Sequence, residues 1–391
     1  MTNLSNSFTT EPLDLNIPQI TPSTRQIQTE SIKYAGSKAK LIPQILQIVK
    51  EVEVKNVWDA FSGSTRVSQA FAQAGYRVES NDLAVWSEQL ATAYLKNQKH
   101  PQEYQGLIDY LNNLPPTDGW FTENYGGKDL NGSSVQEDGL KKVWQIHNTR
   151  KLDSIREEID KLDLDPITKA VALTSLMQAL DRVDSSLGHF TSYLRKWSAR
   201  SYNSLQLKVP RLWPNTDEHI VTRKDVLLDC KPLSPEVDLA YFDPPYGSNN
   251  EKMPASRVRY QSYYHLWTTV VKNDRPELFG AAKRRVDTSD RLAVSPFEEF
   301  RKNEESNRYL AVEAIDKLIS ETPTPWILLS YSNGGRATAS ELDEVLRKNG
   351  ELIKTVTVDH KRNVMAEMRW THDWIKENET KNQEFLFLLK K

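Results

Sequence analysis

The residues best suited to chemistry are Asp243-Pro244-Pro245-Tyr246. Carboxylate and carbonyl oxygens accept hydrogen bonds and an NH2 group donates them, so Asp243 and the prolyl carbonyls make a mount for an amino group. Pro244 and Pro245 fix two consecutive φ angles and remove two backbone donors that would compete for those oxygens. Tyr246 adds a flat face on which a planar ring can lie. A second candidate is the turn Ser62-Gly63-Ser64-Thr65, preceded by Asp59 and Phe61 and followed, about 20 residues on, by Asp82. A third is Lys33-Tyr34-Ala35-Gly36-Ser37-Lys38, a Gly-Ser turn between lysines ahead of a stretch, 41–49, whose apolar residues recur at helical spacing. A turn at a helix N-terminus is a place that binds anions.

These groups need elements to hold them. Residues 237–242 are apolar and end at two prolines, which reads as a buried strand entering a rigid loop. Residues 56–61 read as a strand, 66–74 as a short helix stopped at Gly75, and 76–80 as a second strand, a βαβ unit. Asp82 then stands where such folds place a carboxylate on ribose hydroxyls. The Gly-x-Gly-x-x-Gly fingerprint is absent, which argues against a pyrophosphate on the turn. A ligand with ribose and no phosphate, such as S-adenosylmethionine, suits it better, although a purely structural unit has the same pattern. Further strands are expected at 218–222, 326–331, 352–358 and 384–389, with a helix at 340–349. In an open doubly wound sheet, ligands lie beyond the carboxyl ends of the strands where strand order reverses. If the strands before Gly63 and Asp243 are neighbours there, two loops 180 residues apart become one site.

The 391 residues allow two or three domains, or one core with a large insertion. With 51 basic and 53 acidic residues the net charge is −2, so a nucleic-acid partner would have to be met by a local patch. One exists. Between Arg182 and Lys224 there are eight Lys or Arg against three acids, and aromatic rings alternate with Arg182, His189, Arg195, Lys196 and Arg200. Stacking faces interleaved with cations suit a phosphate backbone and unpaired bases, while an ordinary exposed helix could carry the same charge. His189 equally fits a hydrogen-bonded structural histidine. Upstream, 153–164 and 166–180 read as amphipathic helices that fill core. Residues 260–267 form an aromatic stripe that lines a site or fills core, and 281–307 read as a mobile surface loop and helix. Residues 1–30 have the composition of a tail without fixed structure. The single cysteine, Cys230, excludes an internal disulfide or a Cys-cluster zinc site, and no run approaches the roughly 20 apolar residues of a membrane span. A soluble cytoplasmic protein without a bound metal is expected.

Taken together, the motifs resemble the DNA adenine N6-methyltransferases of the group ordered as cofactor motifs, target recognition, then Asp-Pro-Pro-Tyr. The resemblance covers residues 31–391 and rests on 33–38, 59–64, Asn81-Asp82 and 243–246. Residues 263–267, 330–335 and 385–387 look like the subgroup of FokI-like modification methylases. The resemblance implies a Rossmann-like α/β fold that uses S-adenosylmethionine. Residues 31–95 and 218–391 would form the catalytic domain, and 96–217 a largely helical inserted target-recognition region. It implies cofactor contacts for Tyr34, Lys38, Asp59, Phe61, Gly63, Asp82, Asp225 and Asp243, and a catalytic role for Asp243, Pro244, Pro245 and Tyr246. Arg182, His189, Arg195, Lys196 and Arg200 would meet double-stranded DNA, and a cognate restriction endonuclease would be a natural partner of a monomeric enzyme. The family's turn often has a second glycine where Thr65 stands. Cytosine N4, RNA adenine and protein glutamine offer similar planar amines, although a leading Ser is commoner than Asp243 in the cytosine group. A non-catalytic DNA-binding subunit is the alternative of a different class.

Overall fold

The structure, a computed structural model, describes residues 27–216, 218–247, 259–289, 292, 295–299, 301–359 and 383–391. Its main sheet has seven strands: β1 Asn56–Asp59, β2 Arg77–Asn81, β3 Ile220–Thr222, β4 Leu239–Phe242, β5 Trp326–Ser332, β6 Glu351–Asp359 and β7 Gln383–Lys390. They lie in the order β6-β7-β5-β4-β1-β2-β3. All neighbours pair in parallel except β7, which is antiparallel to both β5 and β6. Strand order reverses between β1 and β4, which pair directly with Val57 beside Leu239 and Asp59 beside Tyr241. The two candidate loops therefore leave adjacent strands in the same direction, at the crevice where such sheets bind ligands.

Alternation along the strands explains why both faces are covered. Val57, Leu239, Tyr241, Leu328 and Leu388 share one core with the helices Ile42–Val49 and Arg66–Gln73. Trp58, Ala240, Phe242, Ile327 and Leu329 share the other with Leu310–Glu321 and Ala339–Asn349. Strands buried on both sides read as continuous apolar runs, which is how 237–242 looked in the sequence. The fold is the expected Rossmann-like α/β arrangement.

The long segment after β2 builds a third core. Its helices Ile146–Lys161 and Pro166–Arg182 pack with Val85–Leu95 and with His265–Lys272, so Trp86, Leu90, Tyr264 and Trp267 share one cluster with Leu152 and Leu176. The buried Arg156 fixes the join, donating to the carbonyls of Val270 at 2.6 Å and Val271 at 2.8 Å. The first of these helices begins well before residue 153 because the polar Asn148 and Thr149 are buried and hydrogen-bonded, Asn148 to the Asn203 carbonyl at 2.9 Å.

Two expectations need correction. Residues 27–30 are not a loose tail: Gln28 N–H donates to Gln73, Glu30 N–H to Gln69, and the Glu30 carboxylate accepts from Tyr94 and from the Arg211 N–H. Their partners are distant in sequence, so local composition cannot reveal them. Residues 1–26 lie outside the described residues. Within 281–307 the described residues form no α-helix, and Arg285, Phe297, Glu298 and Glu299 are buried. The charges there are spent internally, Arg285 on Asp274 and Asp287, and Glu299 on Arg259.

Candidate active site

A cavity of about 460 Å³ opens at the carboxyl ends of β1, β2 and β4. Every expected cofactor and catalytic residue lines it: Tyr34, Lys38, Asp59, Phe61, Gly63, Asp82, Asp225, Asp243, Pro244, Pro245 and Tyr246. At its floor Lys38 Nζ lies 2.9 Å from Asp243 Oδ1 and 2.9 Å from Glu384 Oε1. The Tyr246 hydroxyl lies 2.5 Å from the same Asp243 oxygen and 2.6 Å from the same Glu384 oxygen. The contacts of Asp243 with Lys38 and Tyr246 both fall on Oδ1. Burial raises the Asp243 carboxyl above its ordinary value, with Lys38 opposing and Glu384 adding to the shift. Burial alone would lower the Lys38 ammonium, but Asp243 and Glu384 outweigh it and hold it raised. Lys38 is thus occupied by carboxylates, so its charge is not free to add to an anion site at the Gly-Ser turn before it. Its conformation matters in another way: Gly36 has φ +82° and sits against the Tyr260 hydroxyl.

The loop after β1 is shaped by glycine geometry. Gly63 has φ +46°, and a Cβ there would come to 3.2 Å from two Tyr34 ring carbons and from its hydroxyl oxygen. Thr65, where a second glycine was noted as usual, adopts φ +61°. The backbone thus keeps the left-handed conformation that glycine tolerates, at a cost to a β-branched residue. Gln69 offsets part of that cost, donating its backbone N–H to the Thr65 carbonyl and its side chain to the Thr65 hydroxyl, both at 2.9 Å. Asp82, at the end of β2, accepts from the N–H of Gly63 and of Ala84, each at 2.8 Å, tying the two loops together. Asp225 accepts from the Leu227 N–H at 2.9 Å.

Asp59 is 1% exposed; its Oδ2 accepts from the Ser68 hydroxyl at 2.5 Å, while Oδ1 is buried with no partner among the described residues. Burial pushes its carboxyl up to about 7, opposed by the Ser68 hydrogen bond. Such an orphaned acceptor fits a ligand ammonium. Across the cavity, Tyr34 stacks on Tyr264 at 4.7 Å, with Trp86 and Tyr260 around it, and Phe61 meets Phe297 edge-on at 5.3 Å. The aromatic stripe therefore does both jobs foreseen for it: Tyr260 lines the cavity and Trp267 fills core.

The basic candidates are not one surface. Arg195 and Lys196 are exposed, their side chains without partners among the described residues. Arg182 is exposed and donates to the Gln206 carbonyl at 3.2 Å. Arg200 is held at 2.8 Å by the buried Asp184. His189 is buried, stacked on Tyr263 at 4.6 Å and bonded to Thr191, and burial lowers its imidazole to about 4, so it carries no charge near neutrality. The structural reading of His189 is the one that fits.

The family described as D12 class N6 adenine-specific DNA methyltransferase matches residues 34–295. The chain belongs to this family. Modification methylase StsI of Streptococcus sanguinis is 27% identical over 332 residues, 81% of this chain and 46% of that protein. The type II methyltransferase M.FokI of Planomicrobium okeanokoites is 25% identical over 82% of this chain and 47% of its own length. The chain thus spans about half the length of these relatives. M2.HphI of Haemophilus parahaemolyticus is 25% identical over 92% of this chain and 97% of its own length. The FokI-like resemblance of the motifs agrees with these relatives of a D12 family member.

Sequence reasoning missed Glu384, Phe297, Glu298 and Trp86. Glu384 is the one acid opening an apolar strand, a visible oddity, but its place beside Asp243 depends on β7 running antiparallel to β5. Glu298 lines the cavity and accepts from the Tyr260 N–H at 2.9 Å; burial pushes its carboxyl up to about 8.

Proposed function

We propose that this chain is a site-specific DNA adenine N6-methyltransferase, transferring methyl from S-adenosylmethionine to the exocyclic amine of an adenine flipped out of duplex DNA. The observation that carries this reading is the meeting of the Gly63 loop and the Asp-Pro-Pro-Tyr loop on paired strands, with Asp243 lining the cavity between them.

The cavity fits the cofactor. Asp59 Oδ1 suits its ammonium, Asp82 has lone pairs left for ribose hydroxyls, and Asp225 with Phe61 and Tyr34 would hold its base. When bound, S-adenosylmethionine supplies a methyl group on a positively charged sulfur. The protein's task is then to shape the acceptor. The adenine amine is a weak nucleophile because its lone pair is delocalised into the ring. Asp243 Oδ2 and the Pro244 carbonyl accept its two N–H groups, localise the lone pair and aim it for in-line displacement. Asp243 is also placed to take the leaving proton. Tyr246, anchored through its hydroxyl, offers its ring to the extruded base and offsets part of the few kcal/mol of unstacking.

Residues 96–217 serve as the target-recognition region on a catalytic domain of 31–95 and 218–391, with Arg195 and Lys196 as its most available phosphate contacts and Arg182 and Arg200 supporting them. The work is done in the cytoplasm by a monomer within restriction-modification, beside a cognate endonuclease. No described helix is long and apolar enough to cross a membrane.

The test is incubation with labelled S-adenosylmethionine and mixed-sequence duplex DNA, followed by nucleoside digestion and mass analysis. Label in N6-methyladenine is expected. Label in N4-methylcytosine would correct the base, and cofactor binding without labelled DNA would overturn the substrate.

A further inference from the structure

The floor of the cavity sets a problem of proton counting. Three oxygens, Asp243 Oδ1, the Tyr246 hydroxyl and Glu384 Oε1, form two contacts of 2.5 and 2.6 Å. Each contact of that length needs a proton between the oxygens, and a phenol has only one. The second must come from a carboxyl, with the phenol accepting from one side and donating to the other. Charge counting gives the same answer independently. Among the described residues Lys38 is the one cation touching both carboxylates, 6% exposed at its side chain against 17% for Asp243 and 8% for Glu384. Two ionised carboxylates would leave a net negative charge buried there, whereas one ionised carboxylate balances Lys38. Two acids a few ångströms apart sharing one proton is the known resolution of such crowding.

We propose that Asp243 and Glu384 hold a single proton between them through the Tyr246 hydroxyl, which makes Glu384 a positioning residue for the reaction. Glu384 does not line the cavity and is not a catalytic residue. It acts by keeping Tyr246 and Lys38 on Asp243 Oδ1, so that Oδ2 is presented to the amine. The other groups facing the pair do not supply the proton's counterpart. Ser330 lies 3.4 Å from Glu384 Oε1 as a neutral hydroxyl. Tyr241 on β4 and Asp59 on β1 add only phenol and acid, and Tyr34 and Tyr260 stand across the cavity as phenols. The active form is the singly protonated pair. A second proton removes the negative acceptor, and loss of the last one breaks the bridge.

The catalytic consequence rests on the methyltransferase reading; the proton count does not, so two readouts are needed. In infrared difference spectra of the unliganded protein at neutral pH, wild type minus Glu384→Gln should show one protonated-carboxyl stretch lost in the variant, because Asp243 beside a neutral partner ionises against Lys38. If Glu384→Gln does not fold, Asp243→Asn should lose the same band. Retention of the band in the folded variant would overturn the proposal whether or not the protein methylates DNA. In single-turnover transfer, wild type should give a bell-shaped pH profile. Glu384→Gln should remain within about tenfold at the optimum, keep the acid limb and lack the alkaline limb, since glutamine imitates the protonated partner. An unchanged alkaline limb in the variant would likewise overturn it.

Discussion

Lys38 Nζ stands 2.9 Å from Asp243 Oδ1, joining the turn before the first helix to the loop after β4, 205 residues further along the chain. Removing one partner of a buried pair is far more damaging than removing both, because the remaining charge has no water. Lys38→Met should destabilise the protein by about 3 kcal/mol at neutral pH, read from urea unfolding. Asp243, already raised by burial and no longer opposed by Lys38, then stands further above its unfolded value. Its contribution to stability is therefore present in acid and lost as pH rises, so the deficit of the variant should shrink on acidification. A deficit independent of pH would contradict the charge assignment.

Asp243→Ala removes the acceptor while leaving the outer surface unchanged. Transfer should fall below detection, with DNA affinity in a filter or anisotropy assay changed by less than about threefold. Transfer near the wild-type rate would sink the role given to Asp243.

Gly63→Ala tests the close approach of the loop to Tyr34. The new methyl lies within 3.2 Å of the ring at a φ of +46°, so Tyr34 or the loop must shift. A cost of about 1–2 kcal/mol in stability is expected, together with a larger loss in S-adenosylmethionine affinity measured by calorimetry. Normal affinity would mean that the loop does not shape the cofactor site.

How much of this could be read beforehand follows from which interactions are local. The strand at 237–242, the βαβ unit and the helix at 166–180 are written in period and punctuation, whereas the adjacency of β1 and β4 is only a condition in the sequence and is met in the sheet. The start of the Ile146–Lys161 helix was hidden because Asn148 and Thr149 satisfy their polar groups inside the fold. Glu30, bonded to Tyr94 and the Arg211 N–H, is legible only once its distant partners are placed. Among the candidate residues, the motif-borne ones line the cavity, whereas Arg200 and His189, chosen from charge and aromatic pattern alone, proved to be paired or buried. Glu384 needed strand direction, which no local pattern carries.

Asp59 predicts a pH dependence. Its folded-state carboxyl is raised to about 7 by burial, so the folded protein favours the protonated form; stability is present below the ordinary carboxylate range and is lost as pH rises through about 7, by a few kcal/mol. A cofactor ammonium on the orphaned Oδ1 requires the ionised form. S-adenosylmethionine affinity should therefore rise with pH and level off above about 7, with proton release on binding below it. Calorimetry in buffers of different ionisation enthalpy measures that release. Asp59→Asn should bind more weakly and lose this portion of the pH dependence; an unaltered release would assign the proton to another group.

Arg195 and Lys196 offer a test of where DNA lies. Both side chains are exposed and free of partners among the described residues, unlike Arg200, which neutralises Asp184. If both meet phosphates, the double change to Ala should weaken DNA binding at low salt and reduce the slope of log affinity against log salt by about 2. The loss should appear in Kd rather than in the single-turnover rate at saturating DNA. Arg200→Ala should differ in kind, since it leaves the buried Asp184 with Lys33 as its remaining cation, and is expected to lower the unfolding midpoint as well as DNA affinity. A double variant with an unchanged salt slope would move the DNA path to another face of the inserted region.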